Sequence, residues 1–243
     1  MLAPCRHPGY VSAMSETEAP DDPAPPCPDC LKPPALCVCA GIEPIANRIE
    51  LLILQHPQEQ DRELGTARLA VKHFKKARLV VGLSWPNLAK LVGRPVEAKS
   101  WGVLYLGPAK LSPEAQARGI AALDRKGAAL AEQDQALAEL EGIILLDGSW
   151  SQAKALWWRN AWMLKARRLV LDTGKPSRYG RLRKEPRRDS VSTLEAAAFA
   201  LARLEHRPEI EAKLLASFEA MLRKYREARV KRPVDREPAP ESA

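Results

Sequence analysis

Apolar residues along this 243-residue chain occur in two alternating patterns. Short continuous runs rich in Ile, Leu and Val mark strands covered on both faces. They fall at 49–55 (I-E-L-L-I-L-Q), 79–83, 101–106, 142–147 and 168–172. Between them lie stretches with helical spacing. The first opens at Gly65-Thr66, with Thr66 as cap and Leu69, Ala70 and Phe74 facing inward, and runs to about 77. An Ala/Leu-rich stretch over 115–139, interrupted by Gly119 and Gly127, predicts one bent helix or two. Helices are expected at 149–162, at 196–204 behind a Ser192-Thr-Leu-Glu195 capping box, and at 209–230. Strands alternating with helices predict an α/β domain with a mainly parallel sheet flanked by helices.

The stretch 142–152 carries the densest local signal. Ile143, Ile144, Leu145 and Leu146 form a buried strand, and Asp147 stands where it ends. Gly148 permits a tight turn. Ser149 caps the next helix, with Gln152 completing a capping box. Asp147 and Trp150 are thus expected together at the carboxyl edge of a central strand, where open α/β sheets place their ligand crevices. The bland alternative is a strand terminator and a core indole. His56, at the end of the first strand, is likewise either a turn residue or a functional one. Trp157 and Trp158 are adjacent on a helix and diverge by about 100°, so both cannot face one core side. One of them is expected beneath a neighbouring loop, at the surface, or against RNA.

Charge adds a partner class. Lys+Arg number 38 against 30 Asp+Glu. Between Lys154 and Arg188 there are twelve bases and only two acids, Asp172 and Glu185. That block directly follows the Asp147 stretch and suits an anionic partner; the alternative is a solvated basic loop. Its loop portion, 173–191, is long enough to be functional or disordered. No run of about eighteen apolar residues exists, so no membrane span is expected. The N-terminus lacks an apolar signal region, and the expectation is a cytoplasmic protein. No obligate protein partner is evident.

Four of the five cysteines are clustered as Cys27-x2-Cys30-x6-Cys37-x-Cys39. Two close pairs suit a tetrahedral zinc site with four thiolate ligands. Four ligands leave no open position, so the expected role is structural. The division expected is a disordered 1–26, a zinc-binding module at 27–48, a catalytic domain at 49–207, and a terminal helix and tail at 208–243. No G-x-G-x-x-G follows a strand, and no G-x4-G-K-[S/T], H-E-x-x-H or G-x-S-x-G occurs.

One ordered set of motifs resembles the DTW-domain family of tRNA-uridine aminocarboxypropyltransferases. The set comprises the four cysteines, Leu54-Gln-His-Pro57, Gly65-Thr66, Asp147-Gly-Ser-Trp150, Pro176-Ser-Arg178-Tyr179 with Leu182-Arg183, and Ser192-Thr-x-Glu195. Ser149 stands where the family name has Thr, which keeps the hydroxyl and the cap. The resemblance implies a SPOUT-like fold with a C-terminal trefoil knot. It implies S-adenosylmethionine as donor of a 3-amino-3-carboxypropyl group, N3 of a tRNA uridine as acceptor, and methylthioadenosine as product.

On that basis Asp147 is the expected base, its pKa raised by enclosure beside Trp150, and Trp150 the stacking face for a flipped uridine. Leu146, Ser149, Ser192, Thr193 and Glu195 are expected around the donor, with Glu195 on its ammonium. Arg178 or Arg183 is expected on its carboxylate or on RNA phosphate. Arg178, Tyr179, Arg181, Arg183 and His56 form the expected RNA and substrate face. The competing expectations are an RNA methyltransferase using the same cofactor, the same transfer on ribosomal RNA, and a non-enzymatic zinc-containing RNA-binding module.

Overall fold

A computed structural model describes residues 24–104, 113–124, 126–174, 176–182 and 191–231. The expected disorder of residues 1–23 and the expected tail beyond 231 lie outside the described residues.

Six strands build one sheet: β1 (Glu50–Gln55), β2 (Ala77–Val81), β3 (Trp101–Leu104), β4 (Ile120–Leu123), β5 (Gly142–Asp147) and β6 (Arg167–Leu171), in the spatial order β2-β1-β5-β3-β6-β4. All neighbours run parallel except β4, which pairs antiparallel with β6 at the edge. The mainly parallel sheet expected from the apolar runs is present. Beyond β1 the chain steps outward to β2 and then returns across the sheet to β3. The order therefore reverses around β1 and β5, the kind of switch point at which α/β sheets bind ligands.

Alternation along the strands divides the interior in two. Leu51, Ile53, Ile143 and Leu145 face a cluster shared with α1 (Ala67–Lys72), α4 (Gln133–Ala138), α6 (Thr193–Leu204) and α7 (Pro208–Lys231). Leu52, Leu54 and Ile144 face the opposite layer, made by α2 (Leu88–Val92), Met163 and the Trp157 face of α5 (Trp150–Arg159). Gly142 is fixed by close approach: a Cβ there would come within 2.5 Å of the Trp101 ring.

Two elements depart from expectation. The Ala/Leu-rich 115–139 stretch contains a strand. A short α3 (Pro113–Arg118) stops at Gly119, whose φ of 72° is left-handed, and Ile120 to Leu123 then enter the sheet fully buried. Helix propensity there yields to burial against β6. Helix α2 was not signalled by a long amphipathic pattern. It is only five residues, held by Asn87 accepting from Lys90 N at 2.9 Å and closed by Gly93 at φ 74°.

Candidate functional site

The site forms at the carboxyl edge of β1 and β5. Gln55 and Asp147 are register partners, so their side chains leave the sheet on the same face. Both follow the odd-numbered positions toward α1 and α6. The Gln55 amide Nε2 donates to Asp147 Oδ2 at 2.8 Å, and the Thr193 hydroxyl donates to Oδ1. His56 N donates to the Asp147 carbonyl at 2.9 Å and ties the two strand ends together. Asp147 is half-buried. Its carboxylate is thus held in one orientation by two donors from separate elements.

Ser149 and Trp150 open α5. Ser149 caps α5 with the expected capping box: its Oγ accepts from Gln152 N, and Gln152 Oε1 accepts from Ser149 N. Gln152 Nε2 also donates to Gln58 Oε1 at 3.0 Å, closing the rim between β1 and β5. Trp150 is half-buried at the first position of α5. Leu146 packs into the α5 layer, opposite Asp147. The Asp147 carboxylate is turned to α6. Gly148 is not in the left-handed region; its missing Cβ avoids a 2.9 Å approach to Gln152 Cβ.

The second capping box organises the other wall. Ser192 Oγ accepts from Glu195 N at 3.1 Å, and Glu195 Oε2 accepts from Ser192 N at 2.8 Å. Glu195 is 1% exposed and also takes the Ser177 hydroxyl at 2.7 Å and Arg178 N at 2.8 Å. Its oxygens thus join the 176–179 turn to the start of α6. Thr66 is at the N-cap position of α1, but its Oγ1 accepts from Leu194 N at 3.3 Å and so serves α6 instead.

Tyr179, expected on the RNA face, is a core residue. It is 1% exposed, its hydroxyl donates to Leu64 O at 2.6 Å, and its ring meets Phe218 edge-on at 5.0 Å. A buried aromatic hydroxyl needs a partner, and the Leu64 carbonyl supplies it. Arg178 turns its guanidinium to Glu219 on α7. Both partners are largely exposed, so the pair is weak and exchangeable. Arg183 and the Arg181 side chain lie outside the described residues. His56 is half-buried, with Nδ1 accepting from Gln58 N at 3.3 Å at the start of a 3-10 turn.

Gln55 is the site residue that pattern reading passed over. It ends an apolar run and is 3% exposed, yet its Oε1 is buried with no hydrogen-bond partner. A primary amide offered to a carboxylate must present nitrogen, which leaves the oxygen directed elsewhere.

The four cysteine sulfurs lie within 4.8 Å of one another. Sulfurs around a tetrahedral zinc are about 3.8 Å apart, from Zn–S bonds of about 2.3 Å, so the donor set fits a metal ion. Leu31, at φ 57°, turns the first pair, and Cys39 N donates to Cys37 Sγ at 3.4 Å in the second. Backbone N–H groups of Cys30 and Asp29 bring Cys27 down to about 7, whereas burial pushes Cys30 and Cys39 up. Cys30 and Cys39 belong to the same apolar cluster as α6 and α7. Lys72 pairs with Asp29 at 2.6 Å, and Lys224 Nζ donates to Cys37 O at 2.6 Å. The cysteine segment is thus fastened to α1 and α7 rather than standing apart.

A mainly parallel α/β sheet with polar residues gathered at its switch point and a four-cysteine cluster against its helices defines the class. By sequence, residues 24–226 match the DTW domain, and the chain belongs to that family. It is 29% identical to tRNA-uridine aminocarboxypropyltransferase 2 of Macaca fascicularis over 84% of this chain and 65% of that protein. It is 30% identical to the protein of that name from Drosophila melanogaster, over 78% of this chain and 70% of that one. For the Mus musculus protein the figures are 28%, 81% and 62%. The chain therefore spans about two thirds of the length of these relatives. No solved structure matches it.

Proposed function

We propose that this chain transfers the 3-amino-3-carboxypropyl group of S-adenosylmethionine to N3 of a tRNA uridine and releases methylthioadenosine. The observation that carries the reading is the Asp147 carboxylate, oriented by Gln55 and Thr193 at the switch point of a DTW-domain sheet. The curated relatives bear the name of that activity.

Uridine N3–H is a weak acid and must lose its proton as the new bond forms. Asp147 accepts that proton. The N3–carbon bond forms as the carbon–sulfur bond of the sulfonium donor breaks, and the bonding pair leaves on sulfur. Holding the carboxylate fixed before substrate arrives spares reorganisation during the step. Ser192 and Glu195 hold the N-terminus of α6 and the 176–179 turn, and Thr193 transmits that placement to Asp147. Trp150 and Ser149 form the opposite rim, where an unpaired base can stack. Leu146 supplies an apolar floor for the donor on the α5 side, and His56 borders the same edge.

RNA is held by charge. From 148 to 171 the chain carries Lys154, Arg159, Lys165, Arg167 and Arg168 and no acid. Trp158 projects from α5 at 78% exposed, while Trp157 packs inward beneath the Arg168 guanidinium, 5.8 Å from its ring centroid. Arg178 exchanges Glu219 for phosphate, alongside Arg181 and Arg183. Zinc on Cys27, Cys30, Cys37 and Cys39 is structural; its charge permits the buried sulfurs to ionise. The reading includes a SPOUT-like knotted C-terminal half. The connections on which a knot depends include 105–112 and 183–190, outside the described residues. Among the described residues no helix is long and apolar enough to cross a membrane.

Mass spectrometry of nucleosides from tRNA incubated with the protein and S-adenosylmethionine tests the reading. It predicts uridine heavier by one aminocarboxypropyl group in place of hydrogen. A methyl increment, or no modified nucleoside, contradicts it.

A further inference from the structure

A cleft of about 260 Å³ lies between the cysteine segment and the start of α1. It is smaller than the roughly 300–1,000 Å³ of a pocket for a whole drug-sized molecule. It therefore suits one end of a ligand. Its charged lining is balanced, with Lys32, Arg62 and Arg68 against Glu59, Asp61 and Glu63, and none of the lining residues is aromatic. A flat base would find no stacking face there; a zwitterion would find both signs.

Two buried polar atoms on the lining residues have no hydrogen-bond partner: the acceptor Gln55 Oε1 and the donor Arg68 Nε. Leaving such groups unmatched is costly unless a ligand satisfies them. Three of the other charges in the lining have partners within it. Lys32 Nζ donates to Glu63 O at 2.7 Å, and Arg62 stands 3.6 Å from Glu59. Gln55 also binds Asp147, so one amide joins the cleft to the carboxylate.

We propose that this cleft seats the amino-acid end of the sulfonium donor, with its carboxylate on Arg68 and its ammonium on Gln55 Oε1. The assignment rests on the function proposed above and deepens it. Through Gln55 it places the arm that is transferred near Asp147, and it moves recognition of that arm to the β1–α1 connection, leaving Arg178 for phosphate and Glu195 to the 176–179 turn. Arg68 and Gln55 thereby become specificity determinants: they grip the group to be moved, whereas the nucleoside half is bound elsewhere.

Calorimetric titration of the full zinc-loaded chain with two unreactive thioethers isolates the arm. S-adenosylhomocysteine carries it and methylthioadenosine does not. The wild type is expected to prefer the former by on the order of tenfold or more, as charge-assisted hydrogen bonds allow. Arg68→Ala should erase most of that preference while leaving methylthioadenosine affinity unchanged, which also reports that the variant is folded. Arg68→Lys should keep part of it, and Gln55→Leu should reduce it. An undiminished preference in both Arg68→Ala and Gln55→Leu overturns the assignment, as does equal weakening of both ligands. If neither thioether binds the wild type, the proposed function itself fails and the cleft assignment falls with it.

Discussion

Asp147 illustrates what a single position discloses in sequence and what it withholds. Its place at the end of a buried run announced a strand terminus, and Asp147 is the last residue of β5. The direction of its side chain depends on strand parity and on pairing with β1, which no local motif encodes. Gln55 was invisible for the same reason: a glutamine after Ile53 and Leu54 reads as a strand end until its register partner is known. Tyr179 misled in the opposite sense, since its neighbours Arg178 and Arg181 suggested a surface while its ring fills the core. His73 is a further residue whose meaning lies in burial. Its pKa is lowered to about 4, first by burial and then by Lys213, and its Nε2 has no hydrogen-bond partner. The folded state thus favours the neutral ring. The stability this supports is complete above the unfolded value of about 6.5 and is lost as pH falls toward 4, on the order of 3 kcal/mol in all. Denaturant unfolding of His73→Gln should show a shallower loss between those limits; an unchanged pH slope would remove His73 as the cause.

At the level of elements, apolar runs located five of six strands, because fully buried parallel strands announce themselves by composition. β4 escaped because Ile-Ala-Ala-Leu is equally at home in a helix, and only an antiparallel edge beside β6 makes it a strand. Both capping boxes were legible, since their geometry spans three residues. On α5 the adjacent tryptophans diverge as helical geometry requires, and Trp158 is left in solvent within a stretch of chain that holds no acid. Stacking on an aromatic is worth roughly 1–3 kcal/mol per base, so Trp158→Ala should weaken tRNA binding roughly five- to hundredfold without lowering thermal stability. A filter-binding titration measures this, and unaltered affinity would take Trp158 off the RNA face.

For the molecule as a whole, spacing pointed to a cluster of four thiols, and their sulfurs do gather within 4.8 Å of one another. Cys30 and Cys39 share one apolar cluster with β1, α6 and α7, and Lys72 and Lys224 fasten the segment at two points. Removing zinc should therefore destabilise the sheet domain with it. Chelation, or Cys39→Ser, should lower the midpoint of one cooperative thermal transition by about 10 °C or more, at about 2–4 °C per kcal/mol. Two separate transitions, with the main one unmoved, would show an independent module.

The account stands on the carboxylate that Gln55 and Thr193 hold at the sheet edge. Single-turnover transfer to tRNA by Asp147→Asn, followed by nucleoside mass spectrometry, tests it most directly. General-base loss predicts a rate about 10²–10⁴-fold below wild type, with tRNA and S-adenosylhomocysteine still bound and the thermal midpoint preserved. Aminocarboxypropyl uridine formed at a near-normal rate by Asp147→Asn would contradict it.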